Sequence, residues 1–308
     1  MPGLLFRLTL RLRHTFELLL LRGASIIVRL LPRRLLLPLG RLLGRAVFSF
    51  LPWRLRILRE NAAHLPVTPA ADFDRRAYEH LGQHLVLALQ PPSLPLPLHA
   101  PGLGALAADA ERGGLILCGA HVGLWELLPR AVAPHLPAAA RQHGLLVYRP
   151  LHNAAVDRWL RRRRARAAGM PLVADHGSAP ALRRALARGG VVGLLSDQRP
   201  SRAAVTVDFL GRPTAFGAGV ASLRRASGAP VWFVALVLDH DASGAPLLRL
   251  RLEQLAPRRD SVSPADAGET PSSDASLTQS YADALGATIA EFPAQYFWWH
   301  RRWKACPA

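Results

Sequence analysis

Apolar and polar residues follow two different patterns along the chain, and the change falls at about residue 50. Before it, leucine dominates and arginine recurs at intervals of seven and then four residues, at positions 22, 29 and 33 and again at 34, 41 and 45. On a helix these intervals place arginine along one face and leave leucine on the other. We expect Pro32 and Pro38 to divide the segment into shorter helices. Residues 1–50 are therefore predicted to form basic amphipathic helices.

This N-terminal segment has neither the cleavage pattern of a signal peptide nor an uninterrupted apolar run of membrane-spanning length. Basic amphipathic helices bind the surface of anionic bilayers, so we predict that residues 1–50 associate with a membrane. Two alternatives fit the same pattern. One is a single tilted span whose arginines extend to the headgroups. The other is a pair of helices buried within the domain.

After residue 50, short apolar runs alternate with longer segments of helical periodicity. The predicted strands are 114–120, 144–149, 171–175, 191–197 and 231–239, and the predicted helices are 52–65, 71–89, 124–133, 153–169, 179–189, 216–228 and 276–293. Strands that alternate with helices form a parallel sheet covered by helices. We therefore predict one α/β domain over residues 51–308, with a mainly parallel central sheet flanked by helices.

Three further segments have other textures. Residues 91–101 are rich in proline and are predicted to form a linker or a loop at the rim of the domain. Residues 247–255 alternate between apolar and charged side chains, which indicates an edge strand. Residues 258–276 are polar and rich in turn-forming residues, so a loop without chemistry is expected there.

The charge of the chain is strongly positive and unevenly placed. The net charge is +18, and Lys304 is the only lysine among 39 basic residues. Twelve arginines but only two acidic residues, Glu17 and Glu60, lie in the first 60 positions. Such a surface attracts nucleic acid, anionic lipid headgroups or acidic proteins. A non-catalytic basic protein that binds membranes or nucleic acid is therefore one hypothesis.

Several classes of site find no support in the sequence. Two cysteines, Cys118 and Cys306, cannot form a disulfide scaffold, and the apolar surroundings of Cys118 predict a buried small side chain. The chain has no GxSxG nucleophile motif, no P-loop and no HExxH zinc motif. We expect neither a metal site nor a bound cofactor.

One segment does carry a pattern that is typical of catalysis. His121 follows the predicted strand 114–120, and Glu126 stands five residues later at the start of the next predicted helix. Five residues on a continuous helix would separate the two side chains by about 140°. The side chains meet only if His121 lies in the turn, which the flanking Gly119 and Gly123 favour.

A carboxylate on one nitrogen of an imidazole fixes its tautomer and raises the basicity of the other nitrogen. Glu126 is predicted to play this part for His121. The histidine would then act as a general base that removes a proton from an acceptor hydroxyl for attack on an acyl thioester. Backbone amides near the start of the helix would help to stabilise the oxyanion.

The H-x4-E pattern after an apolar strand resembles that of the glycerolipid and lipid A acyltransferases. Four downstream segments resemble, in order, those of the late (lauroyl/myristoyl-type) lipid A acyltransferases. They are YRPLHN (148–153) with Asp157, Arg164 and Gly169 after it, ARGGVVGLLSDQRP (187–200), VDFLGRPTAFGAGVASLRRASGAPV (207–231) and QYFWWHRRWKACP (295–307). The likeness covers residues 50–307 and implies a glycerolipid-acyltransferase-like fold.

The resemblance adds four residues to the predicted site as substrate-binding residues. Arg164 is expected to steady Glu126 or to contact a phosphate, unless it simply coats a helix with the other arginines of 161–164. Arg149 is expected to bind the acceptor phosphate or to be an ordinary charge at the rim. Asp197 ends a predicted strand and is expected to be either a site residue or an aspartate in a turn. Asn153 is equally consistent with a helix cap.

The resemblance also implies the substrates and the location of the protein. The donor would be an acyl-carrier protein or acyl-coenzyme A thioester, and the acceptor a lipid A precursor at the cytoplasmic face of a bacterial inner membrane. Another glycolipid or a lysophospholipid is the alternative acceptor. The basic surface suits an acidic carrier protein and anionic lipid, so no nucleic acid is expected as a partner. The chain departs from the family pattern at Arg199 and Cys306, which puts the acceptor in doubt more than the reaction.

Overall fold

The structure is a computed structural model and describes residues 4–52, 54–91, 93–200, 204–256 and 273–303. Nine strands lie in this part of the chain. They are β1 (Leu98–His99), β2 (Leu115–Gly123), β3 (Leu145–Tyr148), β4 (Leu172–Ala174), β5 (Val191–Leu195), β6 (Ala204–Asp208), β7 (Pro213–Gly217), β8 (Val231–His240) and β9 (Pro246–Leu255). β6 and β7 form a separate antiparallel hairpin, and the other strands form one sheet in the order β1-β9-β8-β2-β5-β3-β4.

Eleven α-helices lie in the same described part. They are α1 (Leu4–Leu30), α2 (Arg33–Phe50), α3 (Leu55–Ala62), α4 (Phe73–Ala88), α5 (Leu103–Arg112), α6 (Leu128–Val132), α7 (Ala138–Gln142), α8 (Ala154–Ala168), α9 (Ala179–Ala187), α10 (Gly219–Ser227) and α11 (Ser273–Glu291). The predicted α/β architecture with a mainly parallel sheet flanked by helices is confirmed.

Strand direction decides where a site can form. β2 is parallel to both of its neighbours, β5 and β8, and β3 is parallel to β5 and β4. The carboxyl ends of β2, β3 and β5 therefore meet at one edge of the sheet, where ligands gather in open α/β folds. The prediction that 247–255 is an edge strand is wrong, because β9 pairs with β8 on one side and with the two-residue β1 on the other.

The sheet is buried on both faces because its central strands are apolar over most of their length. In β2, Ile116 and Cys118 belong to one buried cluster and Leu115 and Leu117 to the other, as a period of two requires. Cys118 is fully buried, as predicted. Helices cover both faces and leave the carboxyl edge of the sheet open.

Several predicted boundaries differ from the structure, and two of these differences change how the elements are divided. Pro38 does not divide the N-terminal segment, since α2 runs through it from Arg33 to Phe50 and the break falls at residues 31–32. The helix predicted over 216–228 begins at Gly219, because the residues before it form β7 and bury Phe216 in the hairpin. A hairpin pairing is a non-local contact, so the local pattern did not indicate it.

The N-terminal helices bury one face and expose the other. α2 crosses α4 with the two backbones in close contact, and a Cβ atom at Gly82 would lie 2.1 Å from the carbonyl oxygen of Gly40. Large apolar side chains on the opposite faces of α1 and α2 are exposed, including Leu12, Phe16, Leu19, Leu20, Ile26, Ile27, Leu30, Leu42 and Phe50. Among the described residues, none of the helices is by itself long and apolar enough to cross a membrane, although the bent pair α2 and α3 would suffice by length and composition.

Candidate active site

His121 lies at the carboxyl edge of the sheet, in the last part of β2. We predicted a turn here, but the strand continues to Gly123 with an irregular register after Gly119. The C-terminal segment causes the extension: the amide of Phe297 donates to the carbonyl of His121 at 2.9 Å, and Val122 bridges to Tyr296. Gly123 then turns the chain with φ +63°, in a place where a Cβ atom would lie 2.1 Å from a carbonyl oxygen of β8.

The imidazole of His121 contacts the carboxylate of Asp197, which follows the neighbouring strand β5. His121 Nδ1 lies 2.8 Å from Asp197 Oδ1, and Asp197 is only 2% exposed. An ionised carboxylate can only accept hydrogen bonds, so Nδ1 carries the proton and Nε2 keeps a lone pair. The side-chain amide of Gln198 lies 3.5 Å from that second nitrogen. The arrangement can therefore accept a proton at Nε2.

Electrostatics favour a basic imidazole here. Burial lowers the pKa of His121, but the charge and hydrogen bond of Asp197 and the charge of Glu126 outweigh burial, so this pKa is raised. Burial raises the pKa of Asp197, but the charge and hydrogen bond of His121 lower it more, and the net direction is downward. The carboxylate of Asp197 therefore stabilises the imidazolium that forms when Nε2 of His121 accepts a proton.

Glu126 is not where the sequence predicted it. It lies in a turn ahead of α6, and its carboxylate is held by both ends of the Arg164 guanidinium, with Arg164 Nε at 2.9 Å. Burial alone would raise the pKa of Glu126. The charge and hydrogen bonds of Arg164 outweigh burial, so the pKa is lowered overall. The predicted hydrogen bond to His121 is replaced by this pair because the turn directs Glu126 towards α8. Glu126 acts on the imidazole through its charge.

Of the other two predicted substrate-binding residues, Arg149 lies at the cleft and Asn153 does not. Arg149 lines the mouth of the cleft, where its side chain is 63% exposed and its Nε donates to Asp175 at 3.2 Å. Asn153 does not reach the cleft. The side-chain oxygen of Asn153 accepts hydrogen bonds from the backbone amides of Ala155 and Val156 and so caps α8. Its side-chain nitrogen donates to Glu17 on α1. The cap is the alternative that the sequence had left open.

These residues border a cleft of about 960 Å³ at the carboxyl edge of the sheet. The part beneath His121, between the sheet and α6, is apolar and is lined by Leu117, Leu128, Val132, Leu136, Leu146, Met170 and Leu172. The mouth is polar and basic, with Arg149, His152, Arg183 and Arg199 around it. The shape and polarity suit a molecule with a hydrocarbon chain and an anionic or hydroxylated head. In the described part of the chain, no group of three or more His, Cys, Asp or Glu side chains is placed to hold a metal ion.

Several residues around His121 were not selected from the sequence. Gln198 directly follows Asp197, and its place after a strand was the signal that could have found it. Trp125 lines the cleft between His121 and Glu126. The aromatic C-terminal segment packs into the core beside the site, because Tyr296, Trp298 and Trp299 are buried. Lys304 and Cys306 lie outside the described residues.

Comparison with known proteins identifies the family of the chain. Residues 98–305, more than half of the 308 residues, match the family model of the bacterial lipid A biosynthesis acyltransferases, and the chain belongs to this family. A search of curated protein sequences found no match. The matched region contains all of the strands described above and His121, Glu126, Arg164 and Asp197. The protein is therefore an acyltransferase of lipid A biosynthesis.

Proposed function

We propose that the protein transfers a fatty acyl chain from an acyl thioester to a hydroxyl of a lipid A precursor, with His121 as the general base. The observation that carries this proposal is the contact of His121 Nδ1 with the buried carboxylate of Asp197, which leaves Nε2 available inside the cleft. Nε2 takes the proton of the acceptor hydroxyl while the hydroxyl oxygen attacks the carbonyl carbon of the thioester. Collapse of the tetrahedral intermediate breaks the C–S bond, and the imidazolium returns the proton to the thiolate that leaves.

Gln198 is the proposed donor to the developing oxyanion. Its amide group is the polar side chain beside the basic nitrogen, at 3.5 Å, and it lines the cleft. A fixed donor at this place stabilises charge that exists only in the transition state and its neighbouring intermediate. Glu126 and Arg164 serve as the support of the site, because their pair joins the turn after His121 to α8.

The apolar part of the cleft is the proposed site of the donor's acyl chain. Leu117 and Val132 lie on its walls. Met170 precedes β4, so it lies at the amino edge of the parallel strands, opposite His121. A chain whose thioester carbon lies at His121 would therefore run down the sheet towards Met170 and be removed from water along its length.

The basic mouth is the proposed site of the acceptor's headgroup. Arg149 presents an exposed guanidinium there, and planar guanidinium groups bind phosphate with two parallel hydrogen bonds. Asp175 already holds Arg149 in place, which reduces the entropy lost when a phosphate binds. An acidic acyl-carrier protein is the proposed donor partner, because the chain carries a net charge of +18.

The N-terminal helices are the proposed membrane contact. Phe50 is 82% exposed, and the other apolar side chains on the outer faces of α1 and α2 are exposed to water in a free protein. Arginines border these faces, so an anionic leaflet would take up both parts of the surface. We propose that the protein binds the cytoplasmic face of the inner membrane without crossing it.

The test uses the full-length protein on vesicles of anionic phospholipid, with an acyl-carrier-protein thioester and a lipid A precursor as substrates. Mass spectrometry should detect a product heavier by one acyl group. His121→Ala should abolish the product, and His240→Ala should leave it unchanged because His240 is an exposed residue at the end of β8. Near-normal turnover by His121→Ala would refute the proposed base. Acylation of another glycolipid or a lysophospholipid instead would replace the proposed acceptor.

A further inference from the structure

Two histidines of α4 are buried beside the active site and take no part in the reaction proposed above. His80 and His84 are four residues apart, so they lie on the same face of the helix. His84 is 1% exposed, and burial lowers the pKa of His80 to about 4 and that of His84 to about 3. Both rings are therefore neutral at neutral pH. Neutral buried histidines act through packing and hydrogen bonds.

Their contacts are with the turn that follows the catalytic histidine. His80 Nε2 donates to the carbonyl of Gly123 at 3.1 Å. The ring of His84 is stacked on the indole of Trp125, with ring centroids 3.8 Å apart and planes 25° apart. Trp125 in turn meets the His121 ring edge-on, with centroids 5.4 Å apart. The helix α4 therefore contacts the turn, and the turn contacts the imidazole of His121.

Trp125 is also packed from the other side. Phe297 lies 5.7 Å from the indole and 6.2 Å from the imidazole, measured between ring centroids. The indole is therefore enclosed by His84, Phe297 and His121, and the imidazole is enclosed by Trp125, Phe297 and Asp197. Aromatic side chains that are packed this closely have few alternative rotamers available.

We propose that His84 is a positioning residue of the active site, which fixes Trp125 and through it holds the His121 imidazole against Asp197, while His80 fixes the backbone of the same turn. This inference rests on the proposed role of His121 as the base. His84 lies beneath Trp125 and is too deeply buried to touch a substrate, so its effect reaches the reaction through the indole. A catalytic group that moves by as little as 1 Å can cost about a hundredfold in rate.

The proposal predicts that the flat ring of His84 matters and its nitrogen atoms matter less. His84→Phe keeps a flat ring against Trp125 and should retain a kcat within about threefold of the wild type. His84→Leu removes the ring and should lower kcat by about 10- to 100-fold. The KM for the acceptor should change by less than about twofold in both variants, because the cleft wall keeps its residues. Steady-state kinetics of the full-length protein on vesicles measure all of these values.

Val86→Ala is the matched control. Val86 is also a buried residue of α4, but a spacing of two residues places it on the opposite face of the helix from His84. It should lower the midpoint of thermal unfolding while kcat stays near the wild-type value. Should His84→Leu fail to fold, His84→Gln takes its place under the same criteria.

Three results would overturn the proposal: an unchanged kcat in His84→Leu, an equal loss in His84→Phe, or the same loss in Val86→Ala at a similar loss of stability. A wild-type protein that transfers no acyl chain would instead overturn the proposed function itself. The two failures are thus distinguished by the wild-type rate.

Discussion

His121 Nδ1 lies 2.8 Å from Asp197 Oδ1, although Glu126 is the acidic residue nearest to the histidine in the sequence. The contact arises because β2 and β5 are parallel neighbours, so His121 and Asp197 lie at the same carboxyl edge of the sheet. Glu126 is bound by Arg164 of α8 instead. The two carboxylates therefore have different partners: Asp197 contacts the imidazole, and Glu126 joins the turn to α8 through Arg164.

The pair of Glu126 and Arg164 should contribute strongly to stability. Arg164→Met leaves a mostly buried carboxylate without its partner and should lower the free energy of unfolding by about 3 kcal/mol. Denaturant unfolding at pH 7 measures the loss. Arg162→Met is the control, because Arg162 is an exposed neighbour on the same helix, and it should change stability by less than about 0.5 kcal/mol.

A double-mutant cycle separates the pair from other effects of the substitution. Glu126→Gln combined with Arg164→Met removes both charges, so the double variant should be more stable than the sum of the single losses by about 1–3 kcal/mol. Losses that simply add would show that Glu126 and Arg164 are not coupled.

The stability of the protein should depend on pH on both sides of a maximum. The pKa values of Asp197 and Glu126 are lowered from 3.8 and 4.5, so their contribution is present above these values and is lost as the pH falls below them. The pKa of His121 is raised from 6.5, so its contribution is complete below pH 6.5 and is lost as the pH rises through the folded-state pKa. Urea unfolding from pH 3 to 9 tests both limbs. His121→Asn should remove the alkaline decline, and an unchanged decline in that variant would assign it to another group.

The sequence was sufficient for the fold class and for the position of His121 at the carboxyl edge of the sheet. Both depend on local patterns, namely the alternating apolar runs and the apolar strand before the histidine. It was not sufficient for the partner of His121. Asp197 is 76 residues away from it, and the contact depends on which strands are neighbours in the sheet. The β6–β7 hairpin was missed for the same reason. The burial of His84 against Trp125 could not be foreseen either, since the position of α4 over the turn depends on helix packing.

The length of the apolar cleft should decide which acyl chain is transferred. Met170→Trp fills its end and should favour shorter chains, shifting the ratio of kcat/KM between short and long donors by about tenfold or more. Competition between acyl donors, followed by mass spectrometry of the products, measures the ratio. Leu248→Ala is the control, because Leu248 is a buried core residue on β9, beside β1, and should leave the ratio unchanged. An unchanged ratio in Met170→Trp would place the acyl chain elsewhere.

Asn153 should matter for stability and not for substrate binding. Asn153→Ala removes the cap of α8 and should cost about 1 kcal/mol of unfolding free energy with no change in the KM for the acceptor. Asn153→Asp keeps a capping oxygen but places a carboxylate beside Glu17, so it should lose the contact with α1. Thermal unfolding and steady-state kinetics check both variants. A raised KM at unchanged stability would return Asn153 to the substrate site.

The rate of acyl transfer by Asp197→Asn tests the central claim most directly. Asparagine has nearly the shape of aspartate, but it is neutral and its amide favours the wrong tautomer of the imidazole. If Asp197 orients His121 as the base, kcat on the lipid A precursor should fall by about 10³- to 10⁴-fold in a variant that remains folded. A folded Asp197→Asn protein with a kcat within about tenfold of the wild type would contradict the account, because that kcat would show that His121 works without this carboxylate.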